Sequence, residues 1–198
     1  MLRIFSDPLY HGTIDRISQI DVAKGKLRKD FGRGFYMALN VQQAIGMMHK
    51  KRREFLQRQP RIKPEEVVER LYQIRLKPSA EQSLKIKVFD RTDMEWLDFI
   101  LMCRENVAER PHEYDIVVGA TADDDTMVAL KLYRNGAYGE VGSVGAKETL
   151  LRVLEPYNLE LQAHGESVCV AKDHCRSYKG RICLPGHCNA GRLHEGGA

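Results

Sequence analysis

Apolar positions along the chain switch between a period of two and a period of about 3.6, and each switch marks an expected element. Ile4, Phe5 and Leu9 lead an opening strand over 1–10. Phe35-Tyr36-Met37-Ala38 alternates, which sends Tyr36 to the face opposite Phe35 and Met37. Asn40 then caps a helix whose apolar positions run from Val41 to Met48 and which continues into a cation-dense stretch over 50–63. Strands are expected over 71–76, over 84–89 and over 114–119, the middle one half-buried because Lys85 and Lys87 interleave its apolar residues. Thr92 with Glu95 forms a capping box for a helix carrying Trp96, Phe99, Ile100 and Cys103 on one stripe. A turn over 120–126 leads to a helix over 127–134, Asn135-Gly136 marks the next turn, and a helix over 146–154 ends at Pro156. The last expected strand is 158–162, where alternation places Glu160 and Gln162 on one face and Leu159 and Leu161 on the other.

Two of these elements carry chemistry. Leu9-Tyr10-His11-Gly12-Thr13 ends an apolar run in an imidazole followed by a bare glycine, so a ring and an uncovered backbone face one place. About twenty residues later, Asp30-Phe31-Gly32-Arg33-Gly34 precedes the Tyr36 strand. Glycine there permits positive φ or close approach to the main chain. Between the two segments lies the basic loop 24–29, suited either to a pyrophosphate or to a solvated connection. Taken alone, His11 reads as a hydrogen-bonded structural residue and Tyr36 as a packing residue. Together they outline a cleft for a planar amide.

Composition narrows the picture. With 198 residues, 43% of them hydrophobic, the chain suffices for one domain with a sizeable core. A formal charge of +4 is too mild to imply nucleic-acid binding by itself. No run approaches the roughly eighteen apolar residues of a membrane span. The expectation is a cytoplasmic protein without a membrane partner. Among the five cysteines, Cys103 alone precedes residue 169, so no disulfide framework is expected in the main body.

The two glycine segments, with Trp96-Leu97-Asp98-Phe99, Tyr114 to Gly119 and Ala122-Asp123-Asp124, are similar to a bacterial family placed with the ADP-ribosyltransferases of the diphtheria-toxin and poly(ADP-ribose)-polymerase type. The resemblance covers residues 8 to 162. It implies an α+β fold built on an ADP-ribosyltransferase-like split β-sheet with flanking helices. It also implies NAD as substrate and no metal. On that pattern Gly12 main-chain groups hold the nicotinamide carboxamide, Tyr36 stacks on the nicotinamide and His11 holds a ribose hydroxyl, with Thr13 and Gly34 completing the NAD-binding set. Asp123 and Asp124 are site-adjacent by the same resemblance, while helix capping explains them as well.

The third catalytic member of such enzymes is a Glu on a late strand. The matching place here is Gln162, with Glu160 two residues before it. Glutamine orients a hydroxyl but offers neither a charge nor a base. The activity implied is mono-ADP-ribosylation of a protein or nucleic acid by the toxin of a two-gene module with a small antitoxin-like partner. The alternatives are a non-catalytic domain that binds NAD, ADP-ribose or a nucleic-acid end, and an NAD-dependent RNA phosphotransferase.

After residue 162 the composition changes. His164, Cys169, His174, Cys175, Cys183, His187, Cys188 and His194 crowd a polar stretch, yet the spacings Cys-x5-Cys, Cys-x7-Cys and Cys-x4-Cys are not paired zinc knuckles. The chain therefore divides into a domain over 1–162 and an atypical tail over 163–198, read as disordered or adventitious, as ordered and divergent, or, last of the three, as a metal site.

Overall fold

The computed structural model describes residues 2–105, 111–121, 124–164, 167–170 and 178–183. They form a mixed α+β fold around a seven-stranded sheet. Its strands are β1 (Leu9–Thr13), β2 (Phe35–Ala38), β3 (Arg70–Leu76), β4 (Ile86–Val88), β5 (Ile116–Gly119), β6 (Ser167–Val170) and β7 (Tyr178–Cys183), in spatial order β4-β5-β6-β2-β1-β3-β7. β4 and β5 run parallel, and every other neighbouring pair is antiparallel. The helices are α1 (Arg3–Ser6), α2 (Val41–Arg58), α3 (Met94–Glu105), α4 (Asp124–Arg134) and α5 (Val144–His164). None among the described residues is long and apolar enough to cross a membrane.

Side-chain alternation gives the sheet two lined faces. On one, Val117, Cys169 and Tyr36 meet Trp96, Leu97 and Ile100 of α3, Leu130 and Tyr133 of α4, and Leu150 and Leu154 of α5. On the other, Leu9, Met37, Tyr72, Ile74 and Val168 meet Ile4 and Phe5 of α1. Trp96 is 1% exposed and donates its ring N–H to the Ala120 carbonyl, the core anchor its single occurrence suggests. Burial of side chains this size contributes about 1.5–3 kcal/mol each.

Several expected elements are corrected. Residues 3–6 make a helical turn instead of strand, and extended backbone begins at Leu9. The α3 cap is Asp93, whose carboxylate accepts from Trp96 N–H; Glu95 pairs with Lys87 and so is not part of a capping box with Thr92. α4 opens at Asp124 instead of 127. Of the two α2 methionines, Met48 is buried and Met47 is 46% exposed.

The largest change is at α5, which runs through Pro156 to His164 and replaces the expected strand 158–162. A proline within a helix removes one backbone hydrogen bond, at a cost of about 3 kcal/mol. Burial of Ala146, Leu150 and Leu154 against the first core offsets that loss. Glu160 and Gln162 therefore lie on a helix and not on a strand face. The expected boundary at 162 falls inside α5, and β6, drawn from the stretch read as a tail, sits between β5 and β2.

Candidate functional site

β1 and β2 pair at Tyr10↔Ala38, and from there toward Thr13 and Phe35 no further register joins them. The imidazole of His11 stands where the ladder would continue. Its Nδ1 lies 2.6 Å from the Tyr36 carbonyl oxygen, and its ring stacks on Phe35 with centroids 4.4 Å apart. A carbonyl only accepts, so Nδ1 carries the proton, and Nε2 presents its lone pair. Burial, followed by the nearby Lys51 ammonium, pulls the His11 pKa down to about 4, and the hydrogen bond to Tyr36 and the Asp15 charge only partly oppose this. His11 is thus a neutral ring in one tautomer with an acceptor to offer.

Tyr36 takes another part than the one expected. Alternation puts its ring on the face opposite Phe35, beside Phe31 with centroids 6.3 Å apart. Its hydroxyl accepts from Phe31 N–H at 3.0 Å and donates to the Gly32 carbonyl at 2.8 Å. Burial raises its pKa well above 10. The phenol therefore ties the 31–36 loop to its own strand, and the link to His11 is the Tyr36 main chain. The same loop is anchored by the buried Asp30–Arg104 ion pair and by His112 Nε2, which donates to the Phe31 carbonyl. Gly32 adopts φ +74°, as the sequence allows.

Two of the glycines expected to face a ligand, Gly12 and Gly34, carry close packing. A Cβ on Gly12 would stand 1.8 Å from the Ala44 carbonyl oxygen, so its absence lets α2 lie against β1. A Cβ on Gly34 would meet Cys169 Sγ at 2.4 Å, so here the close approach is by β6.

A polar cluster gathers at the end of β1. The buried Thr13 hydroxyl accepts from Asp15 N–H at 3.1 Å and donates to Asp15 Oδ2 at 3.0 Å. Lys51 Nζ donates to the Thr13 hydroxyl oxygen at 3.3 Å. β3 fixes the loop behind it: Arg70 donates to the Ile14 carbonyl, while the Tyr72 hydroxyl accepts from Ile17 N–H and donates to the Asp15 carbonyl. The Lys51 pKa is lowered, first by burial and also by Lys29 and Lys26, while Asp15 opposes the shift.

Of the residues expected at the site, the structure brings His11 and Thr13 together and adds Asp15 and Lys51, which the motif reading missed. Lys51 was traceable: Ala44, Met48, Lys51 and Phe55 follow helical spacing, which turns this member of the cation run toward the sheet. Asp15 had a fainter signal, as the second residue after a threonine, where a side-chain turn forms. The side chains of Glu160, Gln162 and Asp124 lie outside the described residues, as does Asp123. So do His174, Cys175, His187, Cys188 and His194, and the side chains of His164 and Cys183. Cys103 and Cys169 are buried free thiols pushed up to about 12 by burial, hence inert.

The arrangement offers a hydrogen-bond acceptor, a desolvated ammonium and a carboxylate around one strand end, beside the gap between β1 and β2. Nothing among curated proteins and nothing among solved structures matches the chain. A family model described as "Protein of unknown function (DUF3990)" matches residues 8–168, most of the chain, and the protein belongs to that family.

Proposed function

We propose that the protein is an NAD-dependent mono-ADP-ribosyltransferase, acting on a protein or nucleic-acid acceptor as the toxin of a bacterial two-gene module with a small antitoxin-like partner. The observation that supports this most is His11, held in one neutral tautomer where the registered pairing of β1 with β2 stops. In such a site Nε2 accepts a hydrogen bond from a hydroxyl of the nicotinamide ribose. The glycosidic C–N bond breaks with its electron pair leaving on nicotinamide, and the ribose C1′ develops oxocarbenium character. An acceptor nucleophile then bonds to C1′ and gives up its proton. The protein supplies orientation and a fixed electrostatic field. Asp15 is a carboxylate within electrostatic reach of His11 and suits the developing positive charge. Tyr36 acts as a positioning residue, through the carbonyl that fixes the imidazole.

A second reading, a domain that binds NAD or ADP-ribose without turnover, is favoured by one observation. The segment expected to present a late-strand Glu or Gln is helical. Release of nicotinamide from NAD by the full chain, with His11→Ala alongside, tests both. Release abolished in the variant supports the transferase. Saturable NAD binding without release supports the binding domain, and absence of both overturns both.

A further inference from the structure

Three cations lie within electrostatic reach of one another near the end of β1, with no carboxylate in ion-pair contact with them among the described residues. Lys51 projects from the sheet-facing stripe of α2 and is half-buried, with its ammonium on Thr13 Oγ1. Lys26 and Lys29 come from the basic loop and act on it electrostatically. The loop is seated rather than loose: a Cβ on Gly25 would stand 2.5 Å from the Gly34 carbonyl oxygen. Among the described residues, no carboxylate lies within ion-pair distance of Lys26, Lys29 or Lys51. Asp15 and Glu54 are the acids that Lys51 feels, and Asp15 is engaged by the Thr13 hydroxyl. A half-buried ammonium with one hydrogen bond, two further cations within electrostatic reach and no carboxylate in contact is a place where a bound anion lowers the energy, against the opposing charge of Asp15.

We infer that Lys51, Lys26 and Lys29 form a diphosphate-binding subsite beside His11, so that the ligand class is a nucleoside diphosphate and the diphosphate is its anchoring group. This rests on the reading of His11 as a ribose-hydroxyl acceptor. The placement suits it, since Thr13, which the Lys51 ammonium reaches from α2, lies two residues along β1 from His11. Asp15 then opposes the anion in the free protein.

The test is calorimetric titration of the full chain with ADP, inorganic pyrophosphate and, as the phosphate-free comparison, adenosine. ADP and pyrophosphate bind and adenosine does not. Lys51→Met weakens both by about tenfold or more, as expected for loss of a charge-assisted contact. Lys51→Arg retains binding. The Lys26→Gln/Lys29→Gln double variant, exposed and remote from the core, weakens binding and flattens its salt dependence. Asp15→Asn tightens it. Unchanged ADP affinity in Lys51→Met and in the double variant, or no binding of ADP and pyrophosphate at all, overturns the subsite. NAD binding that survives Lys51→Met overturns the subsite and leaves the proposed function standing. Lysine-dependent pyrophosphate binding without NAD binding supports the subsite and removes that function.

Discussion

The place of His11 at a strand end beside a glycine was legible, but its protonation state was not. The sequence shows an imidazole before a glycine. The tautomer depends on the Tyr36 carbonyl, 25 positions away, and the depressed pKa on burial that composition does not reveal. The sign of its pH effect follows. The folded pKa of about 4 lies below the ordinary 6.5, so between these values the unfolded chain binds a proton that the folded chain refuses. Stability contributed by neutral His11 is complete above pH 6.5 and is lost as pH falls toward 4. Urea midpoints measured from pH 7 to 4.5 should fall, and His11→Gln should make that fall shallower. An equal slope in the variant would assign the acid sensitivity to other groups. Tyr36 gives a second expectation at this scale. Tyr36→Phe keeps the ring but leaves Phe31 N–H and the Gly32 carbonyl without their partner, a loss of about 1–3 kcal/mol. Thermal melting should show a drop of several degrees for a chain this size, with the near-ultraviolet spectrum retained.

Among the elements, those whose periodicity is both regular and uninterrupted were readable. α2 begins at its Asn40 cap, with the side chain accepting from Gln42 N–H, and β3 covers 70–76 against an expected 71–76. α5 was misread because Leu159-Glu160-Leu161-Gln162 alternates locally, and because proline is a strong stop signal whose cost tertiary packing can absorb. β6 was missed since Ser167-Val-Cys-Val is short and buried on both faces, so it carries no alternation. The contact of α2 with β1 supplies the element-scale prediction. Gly12→Ala places a methyl carbon against a helix carbonyl that has no side-chain freedom to yield. α2 must lift off β1, and with it Lys51 from Thr13. The variant should lose several kcal/mol of stability or fail to fold, as overpacking at backbone does. A variant as stable as the parent, by denaturant midpoint, would show that α2 lies farther from the strand.

At the scale of the molecule, the sheet is completed by a strand that lies late in the chain. β6 pairs with β2 through Phe35↔Val170, Tyr36↔Cys169, Met37↔Val168 and Ala38↔Ser167, and with β5 on its other side. Val168, Cys169 and Val170 are each 0% exposed, so β6 contributes to both cores at once. A chain ended at Gln162 would leave β2 and β5 with open edges facing one another across an empty strand position, and Gly34 without the neighbour its bare backbone admits. Such a truncation should lose cooperative unfolding and expose apolar surface to a hydrophobic dye. In the full chain, Cys169 should resist alkylation under native conditions and react once urea unfolds the protein, followed by peptide mass spectrometry; burial and a thiol pKa of about 12 both require this. Since Tyr36↔Cys169 is one of the pairs that hold β2, and the Tyr36 carbonyl fixes the imidazole, rapid native alkylation of Cys169 would also detach His11 from the frame that gives it a single tautomer.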